Sequence, residues 1–499
     1  MNVTLKGMSS INRDAIPFEV LSVAETLEKK GHEAYLVGGC VRDLLLGRAP
    51  KDWDITTNAE PQEIEGYFED TFYENDFGTV GIVNAESPED SVRVVEVTPF
   101  RIEGEYSDKR RPDSVMWGKT IEEDLSRRDF TINAIAYRPE KESLVDPFDG
   151  QSDLKKKLVK AVGEPAVRFN EDALRMLRAI RIATEISFAI EAKTLEAIAE
   201  HVDLLAAISK ERIRDELTRI IESTQPIEAF FLMQRLKMLP YTVPDLERGM
   251  GCDQNQAHKY DVFEHLLRTM QHGADKEWSF DIRIAGLFHD ISKPETRRWS
   301  KEKNDWTFYG HEVVGARVTR KALNDLRFPR EKIEKIVKLV RWHMFFSDPD
   351  LITLSAVRRV IRNVGRDNIW DLLNLRICDR IGSGRPKEQP FRFRKYVSMV
   401  EEALRDPITV SMLKINGDSI LEKLGEKPGK RIGWVLHALL EEVLDDPHKN
   451  TEKYLMERAK ELFLLPEKEL QTLGEQGRSR QVSEEEAAVM ELREKYHVK

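Results

Sequence analysis

The sequence predicts an α+β protein, a small mixed-sheet head followed by a long all-α body. Alternation suited to half-buried strands is confined to the early part of the chain, at Ala34 to Val37, Thr79 to Asn84, Val92 to Thr98 and Asn133 to Arg138. The turn-forming run Asp146-Pro147-Phe148-Asp149-Gly150 closes that region. Beyond it apolar residues recur three and four apart, as in Leu174, Leu177 and Ile180, or Ile213, Leu217, Ile220 and Ile221, which is the stripe of a helix buried on one face. There is no internal repeat and no low-complexity block. The stretch from Pro466, rich in Glu, Gln and Lys, reads as a helical or partly disordered tail.

A chain of 499 residues suggests roughly three or four domains. No apolar stretch reaches the ~18 residues of a membrane span, and MNVTLKGMSSINRD lacks the apolar segment of a signal peptide, so a cytoplasmic protein without a membrane partner is expected. Cys40, Cys252 and Cys378 lie far apart, which suggests neither a zinc knuckle nor disulfides. Net charge is −10, yet Lys109-Arg110-Arg111, Arg127-Arg128, Lys155-Lys156-Lys157 and Arg392-Phe393-Arg394-Lys395-Tyr396 are basic clusters able to meet phosphate. The last interleaves aromatic rings that could stack on bases. Each cluster alone also fits a solvated face. An acidic chain with local basic clusters favours a substrate gripped along a defined path over nonspecific nucleic-acid binding.

Gly38-Gly39-Cys40-Val41-Arg42-Asp43, followed by Lys51-Asp52-Trp53-Asp54, carries the most chemical information. Residues two apart on an extended segment point the same way, so Asp52 and Asp54 can offer two carboxylates to a pair of divalent cations. The glycines follow an apolar run and would let backbone approach a triphosphate. Arg42 and Asp43 begin the next helix, Arg42 within reach of phosphate and Asp43 as a cap or brace. Glu96, on Val92-Arg93-Val94-Val95-Glu96-Val97, has the alternation to be a third acid at such a site. Its other reading is the solvent face of a half-buried strand.

These motifs, together with EVTPFRIEGEYSDKRRPDSV, EEDLSRRDFTINAIAY and NEDALRMLRAIRIA in the same order, resemble the tRNA nucleotidyltransferase and bacterial poly(A) polymerase family of the polymerase-beta superfamily. The resemblance covers nearly the whole chain. It implies transfer of a nucleoside monophosphate from CTP or ATP to an RNA 3′ hydroxyl, with Mg2+ at Asp52 and Asp54. It implies further that Arg127 and Arg128 meet the triphosphate, that Asp129 and Asn133 meet the ribose, and that Asp172 and Arg175, three apart on a helix, read the base edge. Cytosine and adenine share an amino donor beside a ring-nitrogen acceptor, so one acceptor and one donor suit both and reject uracil and guanine. Glu171 and Arg178 would orient that pair, and Ser209 to Leu217 resembles the family's neck helix. The polar segment Arg101 to Pro112 is expected to be a mobile loop that helps switch C to A specificity, which tilts the reading toward full CCA addition.

A second resemblance, to the HD phosphohydrolase superfamily, rests on His265, on His289-Asp290 in LFHDISKP and on Asp379 in LRICDR, with His311 and His343 as further ligands for a second metal. It implies a divalent ion, Mg2+, Mn2+, Ni2+ or Co2+, activating water against a phosphoester, with Lys293 near substrate phosphate. After it, Leu413 to Gly433 resembles the tRNA-binding body and tail of bacterial CCA-adding enzymes.

The expected domains are a nucleotidyltransferase head at 1–150, a neck at 151–245, an inserted HD domain at 246–400, a tRNA-binding body at 401–465 and a polar tail at 466–499. The expected activity is addition of C, C and A to the tRNA 3′ end from CTP and ATP, with a metal-dependent phosphohydrolase attached and no DNA partner. Alternatives are a poly(A) polymerase, a CC- or A-adding enzyme, a protein uridylyltransferase, and an HD phosphohydrolase with a silent transferase head. Oligomeric state is not written in the sequence.

Overall fold

The computed structural model describes residues 11–73, 78–103, 115–255, 258–345, 352–406 and 409–475. Lys109-Arg110-Arg111, most of the expected switching loop, and the tail beyond residue 475 lie outside them. The chain forms two compact units, Met1–Thr242 and Val243–Lys499.

In the first unit the strands are β1 (Ala34–Val37), β2 (Trp53–Thr57), β3 (Thr71–Tyr73), β4 (Val80–Val83), β5 (Val94–Pro99), a hairpin of β6 (Arg101–Glu103) and β7 (Val115–Trp117), β8 (Ala136–Arg138) and β9 (Ser143–Val145). Seven of them make one sheet in the order β3-β4-β5-β2-β1-β8-β9. Every neighbouring pair is antiparallel except β2 with β5, which is parallel. All four residues of β1 are buried, with Tyr35 and Val37 packed on Phe100, Ile121, Leu125 and Ala136. The middle of the sheet is therefore covered on both faces, which fixes the strand ends that carry the polar residues.

The strand expected from Asn133 begins only at Ala136, because Thr131–Asn133 winds into a 3-10 turn that Thr131 secures by donating its hydroxyl to Asp153 at 2.7 Å. Likewise Asp90–Val92 is a 3-10 turn ahead of β5. Strands β3 and β9 and the β6–β7 hairpin were not anticipated, since three-residue strands are too short to show alternation. Helices Pro165–Glu171, Leu174–Ile186 and Lys210–Glu222 follow, and every residue of the two expected apolar stripes is buried. Strand structure does recur after Gly150, in the parallel pair Leu158–Val159 with Ala189–Ile190 and in the hairpin Arg298–Ser300 with Asp305–Thr307.

The second unit is helical. Asp261 caps the helix Val262–Asp275 by accepting the Glu264 amide at 2.8 Å. Helix Ile369–Gly382 lies so close that a Cβ on Gly382 would stand 2.2 Å from Thr269 Oγ1, so only glycine permits the approach. That approach brings Asp379 toward His265. Helices Phe280–Phe288, His311–Asp325 and Arg330–Trp342 complete the bundle. In the helix Phe391–Ala403 the rings expected to be available for stacking, Phe393 and Tyr396, are buried, and Tyr396 packs on Phe345 instead. Further on, Gly425 ends the helix Gly417–Leu424 in the left-handed region, as a short helix-to-helix turn requires. Among the described residues no helix is long and apolar enough to cross a membrane.

Candidate active site and metal centre

In the first unit, Asp54 on β2 stands opposite Glu96 on β5. Register neighbours in a parallel pair project to the same face of the sheet, so the two carboxylates share a side. Trp53 between the aspartates is buried, and Asp52, Asp54 and Glu96 line one hollow of about 710 Å³. Gly38 has φ 78°, and a Cβ there would lie 3.1 Å from Arg128 Nη1 and 3.3 Å from Asp54 Oδ2. A Cβ on Gly39 would lie 3.7 Å from Arg42 Nη2 and 3.8 Å from Asp52 Oδ1. The glycine pair is thus the point where the aspartates and arginines converge. An all-carboxylate donor set is the one hard cations such as magnesium prefer.

The arginines are held by carboxylates behind them. Asp124, fully buried, accepts from Arg127 Nη2 at 2.6 Å and Arg128 Nη2 at 3.0 Å. Burial alone would push its carboxyl up, but the two guanidiniums bring it down to about 2. Asp129 accepts from the Phe130 amide at 2.8 Å, Asn133 Nδ2 at 3.1 Å and Arg178 Nε at 2.8 Å. Its burial is likewise overcome, chiefly by Arg178, and its carboxyl also sits at about 2. Arg42 donates to Asn133 Oδ1 at 2.9 Å and to Asp43. One connected chain therefore runs Asp43–Arg42–Asn133–Asp129–Arg178.

Asp172 and Arg175 do not share a helix, contrary to expectation. Asp172 is extended, with φ −142° and ψ 102°, where the helix Pro165–Glu171 ends, and its carboxylate accepts the Leu174 amide at 3.1 Å as the next helix starts. Arg212 reaches it with two bonds, of 3.0 and 2.6 Å. Arg175 donates to Glu171 at 2.6 Å and to the Arg127 carbonyl at 2.9 Å. Even so, both line a cavity of about 250 Å³ together with Gly38, Asp54, Arg128 and Asp129.

In the second unit five predicted ligands gather around a sixth, Asp290. Its Oδ2 lies 3.1 Å from His265 Nε2 and 3.1 Å from His289 Nε2, and its Oδ1 lies 3.0 Å from His311 Nε2 and 3.5 Å from His343 Nε2. Asp379 Oδ1 stands 3.5 Å from His265 Nε2. His289, His311 and His343 each place Nδ1 on a backbone carbonyl, of Gly286, Phe308 and Val340, at 2.8, 2.5 and 2.7 Å. A carbonyl only accepts, so it fixes the proton on Nδ1 and turns the Nε2 lone pair inward. Inward lone pairs then face each other, His311 to His343 at 3.2 Å, and face carboxylate oxygen. Acceptors packed against acceptors call for a cation between them, so the donor set fits a divalent metal. Burial would raise the Asp290 and Asp379 carboxyls, but the surrounding imidazoles with Lys293 beside Asp290, and Arg376 beside Asp379, hold both well below the usual range. Lys293 is buried, 2.5 Å from Asp290 Oδ2 and 2.6 Å from Gln254 Oε1.

Comparison with known proteins covers the segments that carry both centres. The Poly A polymerase head domain matches residues 34–160, the probable RNA and SrmB-binding site of polymerase A matches 187–250, and the HD domain matches 262–381. The chain is 47% identical over 446 residues to a CCA-adding enzyme of Limosilactobacillus reuteri, covering 88% of this chain and 95% of that one. The chain belongs to the CCA-adding enzyme family. An A-adding tRNA nucleotidyltransferase of Deinococcus radiodurans is 33% identical over 420 residues, 82% of this chain and 91% of that one. The solved Bacillus stearothermophilus CCA-adding enzyme in complex with CTP superposes with a TM-score of 0.62 at 25% identity, covering 89% of this chain and 97% of that one.

For this member of the CCA-adding family, three polar residues absent from the sequence-based site stand at the centres. Asp124 precedes Arg127 and Arg128 by three and four residues, a spacing that could have revealed it. Arg212 lies in the neck-like segment with no local sign of its partner. His258, grouped with His265, Asp290 and Asp379, sits in a loop seven residues ahead of His265 and carried no motif.

Proposed function

We propose that this protein adds C, C and A to the 3′ end of tRNA, taking CTP and ATP in turn. The observation that carries this reading is the 250 Å³ cavity in which Asp54, the glycine pair, Arg128, Asp129, Asn133, Asp172 and Arg175 meet. Asp52, Asp54 and Glu96 would hold Mg2+, which lowers the pKa of an attacking 3′ hydroxyl and offsets charge on departing pyrophosphate. Arg127 and Arg128, set by Asp124, bind the triphosphate, and buried Arg128 Nε makes no hydrogen bond among the described residues, leaving a donor for phosphate. Asp129 and Asn133 set the floor against which the ribose rests. Asp172 supplies an acceptor and Arg175 a donor to the base edge, with Glu171 and Arg212 holding them in place. The domains are a head at 1–150, a neck at 151–245, an HD domain at 246–400, a body at 401–465 and a tail at 466–499. The HD cluster binds a divalent ion and hydrolyses a phosphoester, held by His265, His289, Asp290 and Asp379 with His311 and His343 beside them.

A second reading, addition of the terminal A alone, is favoured by the similarity to the Deinococcus radiodurans enzyme. The experiment that separates the two offers tRNA trimmed of its whole CCA and tRNA ending in CC. Extension of both with CTP and ATP supports CCA addition. Extension of the CC-ended tRNA alone supports the second reading.

A further inference from the structure

We infer that the metal centre of the second unit opens on a mouth shaped for a single-stranded RNA end carrying several linked phosphates, and that Arg380, Arg385, Arg392 and Phe391 select such a strand over a lone phosphate. This rests on the phosphohydrolase reading of the HD cluster.

Beside the centre lies a cavity of about 610 Å³. Its inner wall is His258 and Asp379, from the metal-ligating group, and its outer wall is arginine and phenylalanine. Arg376 is committed to the centre, donating to Asp379 Oδ2 at 2.6 Å. Arg380 is anchored by its Nε to the Lys387 carbonyl at 2.5 Å, which fixes its fork at the rim. Arg385 is exposed and, among the described residues, its side chain makes no hydrogen bond or ion pair. Arg392 stands across from it on the first turn of the helix Phe391–Ala403.

Charge and volume point the same way. Four guanidiniums line the cavity against the single carboxylate of Asp379. One phosphate at the metal needs only the ligands and the nearest arginine. Guanidiniums further out are explained by phosphates further along a strand, each of which a planar fork can take in two-point contact.

The aromatic pattern supplies the bases. Along that helix Phe393 and Tyr396 turn inward to the core, whereas Phe391 is 70% exposed at the cavity edge. A large apolar ring held in water beside arginines is the stacking platform that single-stranded nucleic acid uses without regard to sequence.

The test uses full-length protein with the RNA trinucleotide UpUpUp and with inorganic phosphate as probes. Phenylglyoxal labelling, read by peptide mass spectrometry on metal-stripped protein, is expected to show Arg385 and Arg392 protected by UpUpUp and labelled in the presence of phosphate. With bis(p-nitrophenyl) phosphate as reporter substrate, UpUpUp should inhibit about tenfold more strongly than phosphate, the equivalent of about 1.4 kcal/mol. Arg385→Gln and Phe391→Ala, both at exposed positions, should each remove most of that advantage, and Arg385→Lys should restore part of it. Equal inhibition by the two probes, or arginines left unprotected by UpUpUp, overturns the inference. Absence of reporter turnover with magnesium, manganese, nickel and cobalt overturns the hydrolase reading instead, and the labelling result then decides the mouth by itself.

Discussion

Asp172 and Arg212, forty residues apart in sequence, form a two-point ion pair in which Nη1 meets Oδ1 at 3.0 Å and Nη2 meets Oδ2 at 2.6 Å. Asp172 sits at the break between two helices, where the Leu174 amide reaches only one of its oxygens. The pair therefore fixes the acceptor that we assign to the base edge.

Arg212→Ala should relax base choice without disabling transfer. Hydrogen bonds to charged groups contribute about 1.5–3 kcal/mol, so discrimination of CTP over UTP should fall roughly ten- to a hundredfold. Single-turnover addition with each nucleotide measures the ratio. Wild-type discrimination in the variant would show that Arg212 only braces the helix.

Asp124→Asn should loosen Arg127 and Arg128 together, raising KM for nucleotide by about tenfold or more with a smaller change in kcat. It should also change the acid limb of stability. The Asp124 carboxyl titrates at about 2 in the folded protein against an ordinary 3.8. A depressed folded value means its contribution is complete above pH 3.8 and is lost as pH falls toward 2. Urea titrations should find the gap between wild type and variant, about 2 kcal/mol near pH 5, closing across that window. A gap that stays constant would contradict the assignment.

Asp290→Asn should empty the HD centre, because Asp290 is the residue that both imidazole pairs address. Metal content should drop severalfold, while nucleotide addition by the first unit stays within about twofold of wild type, since its carboxylates are separate. Loss of addition in a folded variant would show coupling between the centres.

Much of both centres was legible because the residues come in local motifs. Asp52 and Asp54 are two apart on a strand edge, His289 and Asp290 are adjacent, and each predicted metal ligand of the HD set does converge on one point. The spatial partners were legible only where spacing is helical, as between Asp124 and the two arginines. The Asp54–Glu96 register depends on a parallel pairing across forty-one residues of intervening chain, and the Asp172–Arg212 pair on the packing of two helices, so neither leaves a local trace. The helix break at Asp172 was missed because Glu171-Asp172-Ala173-Leu174 carries no glycine or proline to mark it. Aromatic interleaving near Phe393 suggested rings available for stacking, but periodicity puts Phe393 and Tyr396 in the core and leaves Phe391 outside.

The account stands or falls on the carboxylates of Asp52 and Asp54 acting in CCA addition. The most direct measurement is intact mass of a tRNA lacking its CCA after incubation with CTP and ATP, for wild type and Asp54→Asn, with tRNA binding measured in parallel. The account predicts that wild type gains two C and one A and stops, and that the variant still binds tRNA but adds nothing at a rate within about a thousandfold of wild type. A variant that completes CCA at a comparable rate, or a wild type that adds an extended run of A, would contradict it.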